Sequence, residues 1–71
     1  MKIIKGTLLK VNHDRKGIFT GIATEDFDTD DTFYTIAVAQ EKPVEGNVTK
    51  WYKGNKIPCR ASLCRIEPLE L

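Results

Sequence analysis

Residues 54–66, Gly-Asn-Lys-Ile-Pro-Cys-Arg-Ala-Ser-Leu-Cys-Arg-Ile, hold both cysteines of the chain, one of its three prolines, and apolar groups on either side of a short polar insert. Two readings compete for this stretch. The thiols belong to a metal or redox site, or the segment closes a small β-barrel. A zinc site takes about four ligands, commonly from Cys-x(2–4)-Cys pairs. Cys59 and Cys64 have four residues between them, there is no second cysteine pair, and the single histidine is His13. A thioredoxin-type dithiol opens a helix as Cys-x-x-Cys beside parallel strands, and this segment has neither feature. Cysteines without such a setting pack as small hydrophobes. The barrel reading therefore stands, with no metal and no cofactor assigned.

Working outward, the rest of the chain reads as strands. "KIIKGTLLKVN" (2–12) mixes β-branched and aliphatic residues, with Gly6 marking a bend or bulge inside one strand. "NHDRKG" has the composition of a turn. "IFTGIAT" (18–24) sets Ile18, Thr20, Ile22 and Thr24 against Phe19, Gly21 and Ala23, the period of a strand. "EDFDTDD" is a polar connection with Phe27 as its one large apolar group. "TFYTIAVAQ" (32–40) is the clearest strand: Tyr34, Ile36 and Val38 share one face, and Phe33, Thr35, Ala37 and Ala39 the other. Apolar groups on both faces predict a central position. "EKPVEGN" is a loop, "NVTKWY" (47–52) a short strand, and "KGNK" a turn before "IPC" resumes the strand. Sustained apolar spacing at three and four residues is absent, so helices are not expected. Short strands with regular turn signals predict a small antiparallel barrel.

The pattern G-x-x-I-P-x-x-x-x-L-x-x-I in residues 54–66 resembles the C-terminal end of an SH3-like barrel. The resemblance implies that Ile57-Pro58 ends the fourth strand, Cys59-Arg60-Ala61-Ser62 form a 3₁₀ turn, and Leu63-Cys64-Arg65-Ile66 make the closing strand. It covers about a fifth of the chain. The peptide-binding groove of SH3 domains is not implied. The acidic-aromatic opening strand is missing, Ala61 stands where those domains have a tyrosine, and Trp51 lies too close to Pro58 to be the groove tryptophan. The resemblance carries architecture only.

Seventy-one residues make one domain, 1–71, with a thin core that benefits from a partner or self-association. With 41% hydrophobic and 30% charged residues, the composition is that of a folded globular chain. No apolar run suits a signal peptide or a membrane span, so a cytoplasmic protein with reduced cysteines is expected. Charge is segregated along the chain. Residues 1–16 carry five bases against Asp14, residues 17–41 carry six acids and no base, and residues 42–65 carry six bases against Glu45.

Three places invite chemistry. Asp26, Asp28 and Asp30 have the opening spacing of an EF-hand loop, but its required Gly and Glu positions hold Asp31 and Ala37. The segment instead reads as a solvated acidic loop, as an acidic surface for a basic partner, or as a weak, irregular cation site built on its clustered oxygen ligands. Lys50, Trp51, Tyr52, Lys53 and Lys56, with Arg60 nearby, interleave aromatic and basic groups. Such a surface suits nucleic-acid bases and phosphates or a protein interface. Because neighbouring strand residues face opposite ways, only one of Trp51 and Tyr52 points outward, and the single Trp suits the core. His13-Asp14 lacks further metal ligands, Ser62 and the cysteines have no base near in sequence, and Gly46 and Gly54 are isolated turn residues.

The sequence thus predicts an all-β, five-stranded, SH3-like antiparallel barrel with a 3₁₀ turn near 59–62. Its expected function is non-catalytic protein–protein binding through Asp28, Asp30, Asp31 and an aromatic loop of Trp51, Tyr52 and Lys53. The alternative is nucleic-acid binding by Lys50, Trp51, Tyr52, Lys53, Lys56 and Arg60. No membrane contact is expected.

Overall fold

The computed structural model describes residues 1–46 and 49–69, and the fold is all-β with one short 3₁₀ turn among them. Its centre is a five-stranded antiparallel sheet in the order β8 (Lys56–Arg60), β5 (Phe33–Val38), β3 (Gly17–Ala23), β2 (Leu8–His13), β9 (Cys64–Pro68). Two two-stranded ladders flank it: β1 (Lys2–Ile3) with β4 (Phe27–Asp28), and β6 (Val44–Glu45) with β7 (Lys50–Trp51). A 3₁₀ turn, η1 (Ala61–Leu63), joins the two edge strands β8 and β9. Among the described residues no ladder pairs β8 with β9, so the hydrogen-bonded sheet is open rather than closed.

The period-two patterns decide which face is buried. In β5, Tyr34, Ile36 and Val38 face inward, as alternation requires, and β5 lies between β8 and β3. Phe19, Gly21 and Ala23 are the buried set of β3, while Ile18 is exposed. Leu9 and Val11 from β2, and Ile57 and Cys59 from β8, complete a layer with no measurable exposure beside Ile36. Gly21 leaves room for the Ile36 side chain of the paired strand β5, which a Cβ there would strike. Phe27 folds back onto the core and stacks on Tyr34, ring centroids 4.4 Å apart.

Several sequence expectations are corrected. The strand expected over 2–12 is two strands with different partners. Gly6 adopts φ +89°, a conformation that glycine reaches without steric cost, and the Thr7 N–H donates to the Ile4 carbonyl in a turn. This break lets β1 cross to β4, inside the segment read as a polar connection. The loop "EKPVEGN" contains β6, which pairs with β7 in a separate hairpin outside the central sheet. Of the strand expected over 47–52, Asn47 and Val48 lie outside the described residues and Lys50–Trp51 is a strand.

Pro58 does not end its strand: β8 runs on to Arg60, the 3₁₀ turn falls at 61–63, and the closing strand is 64–68. The reason is edge geometry. Val38 N–H donates to the Asn55 carbonyl and Ala61 N–H to the Thr32 carbonyl, so alternate residues 55, 57, 59 and 61 face β5. Pro58 faces the open edge, where its missing N–H interrupts nothing.

Candidate interaction site

The acidic loop spends much of its charge on itself. Asp28 Oδ1 accepts from the Asp30 N–H at 3.0 Å and from the amine of Met1 at 3.4 Å. Asp31 Oδ2 accepts from the Asp28 N–H at 3.0 Å, and Asp26 Oδ1 accepts from the Lys5 N–H at 2.7 Å. The Asp30 amide, aided by the Met1 amine, holds the Asp28 carboxyl below the usual carboxylate range. These bonds satisfy the backbone donors of a tight turn, the common use of Asp in loops. Among the described residues, no three His, Cys, Asp or Glu side chains form a group suited to a metal ion. Asp28 thus braces this turn, and Asp30 and Asp31 are exposed.

The aromatic loop is compensated in a similar way. Trp51 is half-buried against the rim of the core rather than inside it, and Lys16 Nζ sits 5.6 Å from its ring centroid. Tyr52 is the aromatic that points outward, at 55% exposure. The turn after it is held by Asn55, whose N–H donates to the Tyr52 carbonyl and whose Oδ1 accepts from the Tyr52 N–H. Lys53 Nζ donates to Glu41, which lowers the Glu41 carboxyl below its ordinary value, and Lys50 pairs with Glu45 at 3.7 Å. Two of the cations expected to meet phosphates thus have carboxylate neighbours already. Lys16, which sequence reading did not single out, also donates to the Pro58 carbonyl at 2.8 Å and so covers part of the β8 edge.

The β5–β8 register regroups the remaining site residues. Phe33 lies directly opposite Arg60 on the outer face, and the guanidinium carbon sits 5.1 Å from the ring centroid. Phe33 is 59% exposed although it belongs to a paired strand. Beside this pair opens a depression of about 390 Å³ lined by Asp30, Asp31, Thr32, Arg60, Ala61 and Ser62. Asp30 and Asp31, expected to bind a protein partner, and Arg60, assigned to nucleic acid, therefore occupy one place. Trp51, Tyr52 and Lys53 belong to the opposite end of β5, where the Gly54 N–H donates to the Val38 carbonyl. Lys56 lies opposite Ala37, at that same end.

Phe33 is the functional candidate that sequence reasoning passed over. Its signal was the alternation that put it opposite Tyr34, Ile36 and Val38; what that signal lacked was the cross-strand partner. Among groups considered for catalysis, His13 is a buried cross-strand neighbour of Cys64. Its Nδ1 already accepts the N–H groups of Arg15 and Lys16. Comparison with models of protein families, with curated proteins and with solved structures finds no significant match.

Proposed function

We propose that this chain is a non-catalytic protein-binding module whose docking surface is the Phe33–Arg60 pair and the adjoining Asp30–Asp31 depression. The observation that carries the reading is a 59% exposed Phe33 beneath the Arg60 guanidinium, on paired strands, with carboxylates beside it. Aromatic and arginine side chains dominate protein hot spots. Here the strand ladder holds both in place before binding, which lowers the cost of ordering them. The fitting partner is a polypeptide that presents an apolar group to Phe33 and a basic group to Asp30 and Asp31.

The domain itself is read as an SH3-like barrel acting in the cytoplasm. Support for the architecture comes from the strand order, which puts the fourth and fifth sheet strands at the two edges and joins them by one 3₁₀ turn. A nucleic-acid surface is disfavoured at the aromatic hairpin, because Lys50 and Lys53 are engaged with Glu45 and Glu41.

The test is affinity capture with the wild type, a Phe33→Ala/Arg60→Glu variant and a Tyr52→Ala/Lys53→Glu variant, each checked for folding by circular dichroism. Captured proteins are then purified and their affinities measured. A partner whose affinity drops about tenfold or more in the first variant and is kept by the second supports the assignment. Loss only in the second variant moves the interface to the hairpin. Salt-sensitive binding of an oligonucleotide, abolished by the Lys53 change, replaces the protein reading with the nucleic-acid one.

A further inference from the structure

We propose that Cys59 and Cys64 form a reversible intramolecular disulfide across the β8–η1–β9 corner. Both side chains face the core; Cys59 has no exposed surface and Cys64 is 9% exposed. The turn between them is tight, with the Cys64 N–H bonded back to the Ala61 carbonyl. Cys59 also lies opposite Tyr34 in the β5–β8 register, so two thiols and a phenol share one corner of an otherwise apolar cluster. Simple packing does not require two thiols in one corner. An alanine or valine fills such a space without a polar atom.

The contacts within the corner differentiate the two sulfurs. The Cys59 thiol donates to the Ile57 carbonyl at 3.5 Å. The interaction with Cys64, then burial, pushes the Cys59 thiol up. The neighbouring Cys59 thiol and the Tyr34 hydroxyl hold the Cys64 thiol below its ordinary value, against the effect of burial. Cys64, with more exposure and more thiolate character, is the first nucleophile.

The oxidant is a low-molecular-weight disulfide such as glutathione disulfide. Cys64 loses its proton, and its thiolate attacks one sulfur of the oxidant, breaking that S–S bond and expelling one thiolate. The Cys59 thiolate, formed by loss of its proton, then attacks Cys64 Sγ in the mixed disulfide and expels the second thiolate. Two protein thiols give up two electrons and two protons; the oxidant leaves as two thiols. The new ring encloses Arg60, Ala61, Ser62 and Leu63, and so ties the edge strands of the sheet together. This thiol chemistry is independent of what docks on the outer face.

The full chain is equilibrated with reduced and oxidised glutathione at graded ratios, once in native buffer and once in concentrated urea, then acid-quenched, alkylated and weighed intact. The expected native product is a monomer about 2 Da lighter with both cysteines unalkylated, restored by dithiothreitol. The fraction of disulfide at a fixed ratio should correspond to an equilibrium constant about tenfold or more above that in urea, because the fold holds the thiols together. The oxidised form should also melt later, by on the order of 10 °C. Approach to equilibrium from the disulfide formed in urea and then refolded removes slow access as a confounder. An equilibrium constant no higher in native buffer than in urea overturns the proposal, as does a product that is a disulfide-linked dimer. Cys59→Ser should accumulate a mixed disulfide at Cys64, and Cys64→Ser should react with oxidised glutathione more slowly; the opposite order of reactivity overturns the assignment of Cys64 as the first nucleophile.

Discussion

At the scale of single residues, His13 shows how burial turns a titratable group into a structural one. It closes β2 with its imidazole inside, and Nδ1 accepts the N–H groups of Arg15 at 3.1 Å and Lys16 at 3.2 Å. Burial, then the positive charge of Lys16, lowers its pKa from 6.5, with Asp14 opposing. The unfolded chain therefore binds a proton more readily than the folded one. Stability is full above pH 6.5, begins to fall as the pH drops below that value, and levels off once the pH is below the folded pKa. Urea midpoints between pH 8 and pH 5 should show this decline in the wild type. In His13→Asn, whose side-chain oxygen can replace Nδ1 as acceptor, the decline over the upper part of that range should flatten. An identical decline in both proteins would assign it to other groups.

At the scale of the elements, edges and corners matter most. β8 is an edge strand whose outward backbone groups are managed by two devices: Pro58, which has no N–H to offer, and Lys16, which occupies the Pro58 carbonyl. Unpaired edges recruit other chains unless blocked. Pro58→Ala supplies an N–H at that edge and should increase self-association while leaving the core intact. Light scattering after size exclusion, across a concentration series, checks this. A variant that stays monomeric wherever the wild type does would show that the edge is protected by something other than the proline. The Ile-Pro signal correctly pointed to the last corner of the domain. Its exact position shifted because the orientation of Pro58 relative to β5 depends on register, and register is a property of two strands rather than one.

At the scale of the whole molecule, part of the charge segregated along the chain is brought together in space. Acids of the middle segment meet bases of the ends: Asp28 with the Met1 amine, Glu41 with Lys53, and Asp31 beside Arg60 in one depression. The ion pairs are exposed, so screening removes little that the fold relies on. Raising sodium chloride from low to molar concentration should shift the thermal midpoint by only a few degrees; a collapse of stability would give these pairs a larger share than their exposure allows. Much of the buried face was legible beforehand, because alternation in residues 33–38 and 18–23 sorts side chains between core and solvent without reference to any partner. The strand class, the bends and the apolar closing segment followed from the same local rules. The candidate site was legible only in pieces. Asp30, Asp31 and Arg60 were each visible as charged groups, yet 29 or more positions separate either acid from Arg60, and Phe33 read as one more outward strand residue. Their meeting required β5 to pair with β8 at one particular register, which places Phe33 opposite Arg60. Local sequence thus determined what each strand buries, since side-chain direction alternates along a single chain. Tertiary structure alone decided which strands are neighbours, and with that the surface on which an aromatic ring, a guanidinium and two carboxylates stand together.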